Sequence, residues 1–200
     1  KYKGYVQRLT ANPGTVEHFM QFVSLDTWGK QAEYIRHGLD FDLEINRCEE
    51  FITDVPERSS LTFIITMNNL SIVGLKQLLE HILYLRKEHT TTYQRIWFDT
   101  PLLRTPEWQS MQILPKSYQQ CLWDCINFMN DNLDEMHGFK DYEILKMRRD
   151  LQWMQEGTTD VERKQADFYR FFSEHDRRRG TNFLESFPEM TEFWSTCEYN

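Results

Sequence analysis

The chain has 200 residues, of which 40% are hydrophobic, 14% aromatic and 27% charged. That is too apolar and aromatic for a disordered segment, and long enough to bury a sizeable core in one domain or one domain with an appendage. A net charge of −8 disfavours broad attraction to nucleic acid or an anionic membrane.

No apolar run reaches the ~18 residues that a membrane span needs, and no secretory signal is evident. The expectation is a cytoplasmic chain whose Cys48, Cys121, Cys125 and Cys197 are free thiols. The first residue is Lys1 rather than Met, so a processed or truncated chain is expected.

Lys1 to Ala11 sets Tyr5, Val6 and Leu9 at helical spacing, and Asn12, Pro13 and Gly14 end that helix with turn chemistry. The run FMQFVSL, from Phe19 to Leu25, predicts a buried parallel strand over roughly 18–25 that stops at Asp26. A short helix is expected from Lys30 to His37, with Gly38 stopping it in the left-handed conformation. Asp40 is placed to cap the next helix, where Phe41, Ile45, Cys48 and Ile52 share one face.

Ser59 to Asn68 (SSLTFIITMN) predicts a second strand, and Tyr93 to Asp99 (YQRIWFD) a third that Pro101 ends. Between them, Ser71 starts a helix with Leu75, Leu78, Leu79, Ile82 and Leu85 as its stripe. Strands alternating with helices imply right-handed crossovers and a parallel sheet. Its carboxyl ends then gather Ser24, Asp26, Asn68 and Asp99 on one rim, where ligands bind in such folds.

After Pro101 the pattern turns helical. Tyr118, Cys121, Leu122, Cys125, Phe128 and Met129 form one stripe, Ile144, Met147, Leu151 and Met154 a second, and Phe168, Tyr169, Phe171 and Phe172 a third. A turn at Gly157 to Asp160 separates the last two. The expected fold class is α/β, with three parallel βα units over 1–104 and a helical region over 105–200.

At a strand's carboxyl end, Asp26 can accept hydrogen bonds from a sugar's hydroxyl pair, Ser24 can donate or accept one, and Arg36 presents a planar fork for a carboxylate or phosphate. The competing reading has Asp26 and Thr27 capping the following helix while Arg36 makes an ion pair.

Val23-Ser24-Leu25-Asp26 followed by Glu33-Tyr34-Ile35-Arg36 resembles the radical S-adenosylmethionine enzymes, particularly the twitch and SPASM-containing branch. There, a strand ending in Ser, an aliphatic residue and Asp precedes a short helix ending in Glu-Tyr-Ile-Arg. The resemblance implies the C-terminal half of a partial (β/α)6 TIM-like barrel, with these strands as its fourth, fifth and sixth. It covers residues 18 to about 104 and extends more weakly into RRRGTNFLESFPE. It makes Ser24, Asp26 and Arg36 candidate contacts to S-adenosylmethionine, and Thr66, Asn68 and Asp99 further rim residues. Thr27 stands where the family normally has Gly.

In that family a C-x3-C-x2-C loop holds a 4Fe-4S cluster through soft thiolate ligands. This chain has no such triplet. Cys121 and Cys125 have the first spacing, but Phe128 takes the third position, and both cysteines lie on a helix's apolar stripe, where free Cys is commonly core. The resemblance therefore implies a partner, the missing N-terminal half of the barrel, and a chain that does not cleave S-adenosylmethionine alone. The substrate is unknown.

The six histidines show no zinc-binding spacing, and P-loop, dinucleotide and serine-hydrolase motifs are absent from the sequence. His175 to Arg179 reads as a solvated cationic helix end, and the tryptophans as packing. Two alternatives remain: a non-catalytic acidic α/β module that holds a protein partner, and a barrel hydrolase using Asp26 and Asp99 as a metal pair.

Overall fold

A computed structural model describes residues 1–11, 16–55 and 58–200. The turn expected at Asn12, Pro13 and Gly14 lies outside the described residues. The protein opens with α1 (Tyr2–Thr10), β1 (Phe19–Ser24), α2 (Gly29–Ile35), α3 (Phe41–Asp54), β2 (Ser59–Ile64), α4 (Leu75–His89) and β3 (Ile96–Asp99). The strands form a parallel sheet in the order β1-β2-β3.

Helix α1 forms where its sequence predicts, but Tyr5 and Leu9 are exposed and only Val6 and Thr10 are buried. Polar contacts hold it to α3. Lys3 Nζ meets Glu50 at 3.0 Å and Asp54 at 2.6 Å, and Gln7 donates to the Asp54 carbonyl at 2.7 Å. At α3 the Asp40 carboxylate accepts the Leu43 N–H at 3.0 Å, the expected N-cap. Gly38, at φ +85, takes the left-handed conformation after α2.

Strands β2 and β3 are shorter than expected. Past Ile64 the ladder continues irregularly, with Met67 N–H donating to the Pro101 carbonyl and Leu103 N–H to that of Met67. The intervening Thr66 N–H turns away to a side chain. Upstream of Ile96, the Arg95 carbonyl still accepts the Leu61 N–H at 2.9 Å, while its guanidinium donates to the Ser59 and Val55 carbonyls. Ser71 to Val73 form a 3-10 turn, and the α-helix begins only after Gly74.

The two faces of the sheet differ. Leu61, Phe63, Ile65 and Ile96 are fully buried on the face that α3 and α4 cover. On the other face Phe22, Thr62 and Trp97 lie in register, as do Ser24, Ile64 and Asp99. There Phe22 is 55% and Met20 49% exposed.

The remainder comprises α5 (Gln119–Asp131), α6 (Asp141–Glu156), α7 (Val161–Arg179), α8 (Phe183–Ser186) and α9 (Thr191–Tyr199). Helix α5 packs against α4 and α6, α7 against α9, and α8 against α2. Around Tyr34, the rings of Phe172, Phe183 and Phe187 close the last helices onto α2, and the Tyr34 hydroxyl donates to Asp176 at 2.8 Å. One buried cluster runs from Val6 to Cys197, so 1–104 and 105–200 share a core.

Candidate functional site

The carboxyl ends of β1 and β2 are tied together by one carboxylate. Asp26 is buried just beyond β1; its Oδ1 accepts the Thr66 N–H at 2.8 Å and its Oδ2 meets Arg36 Nη2 at 2.7 Å. The capping reading is thereby corrected. Trp28 is the residue at the N-cap of α2, and no side chain caps that helix. Asp26 satisfies the backbone donor that the irregular end of β2 leaves over, and the ion-pair half of that reading is present.

Arg36 follows α2 directly, with its side chain 36% exposed. Its Nε is buried and meets no acceptor among the described residues. The guanidinium is therefore anchored at one nitrogen by Asp26 and has donor capacity left over. Ser24 ends β1 on the uncovered face and is exposed.

Asn68 is buried and builds a turn. Its Oδ1 accepts the N–H groups of Leu70 at 2.8 Å and Ser71 at 3.1 Å, and its Nδ2 donates to the Thr66 carbonyl at 2.9 Å. Thr66 sits half-buried between Asp26 and Asn68. Ile35, Asn68, Leu70, Phe172, His175 and Arg179 line a small pocket of about 130 Å³ beside them.

Asp99 ends β3 and pairs with Lys146 Nζ at 2.5 Å, a hydrogen bond that lowers its pKa below the usual carboxylate value. The structure thus brings Ser24, Asp26, Arg36 and Thr66 together at adjacent strand ends, with Asp99 across the sheet. Asp26 and Asp99 each already face a cation. Among the described residues, no three His, Cys, Asp or Glu side chains gather as a metal site, so the metal-pair reading finds no ligand set.

The cysteines do not fit an iron-sulfur cluster. Cys48, Cys125 and Cys197 are buried and Cys121 is half-buried. Burial pushes the Cys48 and Cys197 thiols up to about 12 and raises those of Cys121 and Cys125. Among the described residues no three of these thiols gather where one cluster could be held.

Sequence reasoning missed α6 as part of this rim. Lys146, Arg149 and Trp153 lie beside its apolar stripe at helical spacing, and Lys146 and Arg149 adjoin the end of β3. The signal was present as a basic face adjoining the stripe of Ile144, Met147 and Leu151. It also missed His175, which packs against Tyr34 instead of joining the exposed arginines of the α7 end. No family model, curated protein or solved structure matches the chain.

Proposed function

We propose that this chain is the C-terminal part of a radical S-adenosylmethionine enzyme, forming the ribose and carboxylate wall of its cofactor pocket. The observation that carries this reading is the Asp26–Arg36 clamp beside exposed Ser24, at the carboxyl end of a parallel sheet with one open face. In this reading the sheet belongs to a partial (β/α)6 barrel, whose interior is the face bearing Phe22, Ser24 and Asp99. The missing strands pair with the open edge of β1.

The Arg36 fork takes the cofactor's carboxylate, and its unpaired Nε supports that role. Ser24 hydrogen-bonds a ribose hydroxyl. Asp26 is a positioning residue, because its carboxylate is already committed to Arg36 and to the Thr66 N–H. Thr66, Asn68 and Asp99 shape the rim. S-adenosylmethionine would supply one-electron hydrogen-abstraction chemistry to an unknown substrate. This chain's cysteines do not fit the 4Fe-4S cluster, so its ligands belong to the missing half.

The test is the full-length protein loaded anaerobically with iron and sulfide, and 5'-deoxyadenosine release is the expected result. The absence of both cluster absorbance and release would overturn the reading. Exposed Met20 and Phe22 also favour the second reading, an acidic α/β module holding a protein partner. A C-x3-C-x2-C in frame upstream of Lys1 supports the enzyme, and its absence there supports the module.

A further inference from the structure

A second polar pocket lies at the carboxyl end of β3, away from Arg36. The segment after β3 is pinned along α6. Asp99 pairs with Lys146, the Thr100 hydroxyl donates to Asp150 at 2.7 Å, and Leu102 bridges Met67. Between this segment and α6 opens a pocket of about 370 Å³ lined by Leu102, Arg104, Arg149, Gln152, Trp153 and Glu156.

Its polar atoms are mostly donors. The Arg104 guanidinium lies over the Trp153 ring, 5.2 Å from the centroid, and has no ion pair among the described residues. Trp153 Nε1–H is buried and meets no acceptor among them. Arg149 is mostly exposed, and its Nη2 stands 3.6 Å from Asp150 Oδ1, outside good hydrogen-bonding distance. Asp150 is itself buried, and burial raises its pKa, while the Thr100 hydrogen bond and the Arg149 charge act the other way. Glu156 is the one carboxylate in the lining.

A guanidinium lying over an aromatic face keeps its in-plane N–H edges free. Stacking restrains the side chain in advance, so less entropy is lost when a ligand arrives. The free edges match the two oxygens of a carboxylate or phosphate. The indole N–H beneath is a second donor whose desolvation nothing yet offsets.

We propose that Arg104, Arg149 and Trp153 form an oxyanion-binding subsite for a small molecule bearing a carboxylate or phosphate. The subsite stands on the pocket itself. It does not depend on the radical S-adenosylmethionine reading.

The experiment labels the tryptophan indole nitrogens of the full-length protein and assigns the Trp153 signal with Trp153→Phe. Succinate, inorganic phosphate or sodium chloride at matched ionic strength is then titrated in. A saturable shift of the Trp153 signal with succinate or phosphate, but not chloride, is expected, and the tighter of the two identifies the oxyanion. Arg104→Ala and Arg149→Ala should each weaken binding on the order of tenfold, and Arg104→Lys less than Arg104→Ala. Absence of a saturable shift, or a shift that survives both alanine substitutions, overturns the proposal. If cluster absorbance and 5'-deoxyadenosine release both fail while the shift persists, the radical reading falls and the subsite stands.

Discussion

Arg86 and Glu143 meet as a bidentate pair sealed from water, 57 residues apart in sequence. Nη2 to Oε1 is 2.7 Å and Nη1 to Oε2 is 3.0 Å, with side-chain exposures of 0% and 1%. Arg86 also donates to the carbonyls of Ile96 on β3 and Gly138 before α6, while Glu143 accepts the Lys140 N–H. One guanidinium thus joins α4, β3 and α6, locking the helical region onto the sheet.

Removing one partner strands the other as a buried charge. Glu143→Gln and Arg86→Met should each cost about 3–5 kcal/mol, and Arg86→Met with Glu143→Leu should recover much of the loss. Urea melts of the three variants check this. A single substitution costing under about 1 kcal/mol would show that water reaches the pair.

The clamp at the rim separates binding from positioning. Asp26→Asn keeps an acceptor for the Thr66 N–H but loses the ionic hold on Arg36. Because Arg36 is partly solvated, the stability cost should be about 1–2 kcal/mol. In the full-length protein, Arg36→Ala should raise the Kd for S-adenosylmethionine on the order of tenfold and Asp26→Asn by less. Isothermal titration reads both. Equal affinity in Arg36→Ala and the parent protein would remove Arg36 from the cofactor site.

The strands are legible in the sequence because β-branched and aromatic runs such as LTFIIT have few other places to go. The ends of those strands are not. The β2 pattern runs on to Asn68, but Thr66 gives its N–H to Asp26 and Asn68 folds into a turn, both decided by groups distant along the chain or by side-chain geometry. An ion pair for Arg36 was readable, but not its partner, since Asp26 read as a helix cap. The Arg86–Glu143 pair and the Arg104–Trp153 stack were not, since each requires α6 to be docked before the partners meet.

Buried thiols give the protein an alkaline limit. The folded state shifts Cys48 and Cys197 from 9.0 up to about 12, so it retains protons that the unfolded chain releases. Their contribution is whole below about pH 9 and is lost as pH rises toward about 12. The urea midpoint should fall between about pH 8 and about pH 10.5, and less steeply in Cys48→Ala with Cys197→Ala. In native protein Cys121, the half-buried thiol, should react with a maleimide first. Rapid modification of Cys125 would contradict the burial.

The uncovered sheet face separates the two functional readings by one substitution. Phe22 is 55% exposed on β1, in register with Thr62 and Trp97, and β1 pairs only with β2 among the described residues. An open strand edge beside exposed aromatics invites association. Residues 1–200 expressed alone should therefore self-associate in sedimentation velocity, and Phe22→Lys should shift them toward monomer while changing stability by no more than about 0.5 kcal/mol. In the full-length protein the same substitution discriminates. If the face lines a barrel interior, an unpaired lysine there should cost several-fold more, on the order of 3 kcal/mol. A partner-binding module would tolerate it and lose only its partner. A well-behaved monomer of residues 1–200 with a cooperative melt would count against the half-barrel.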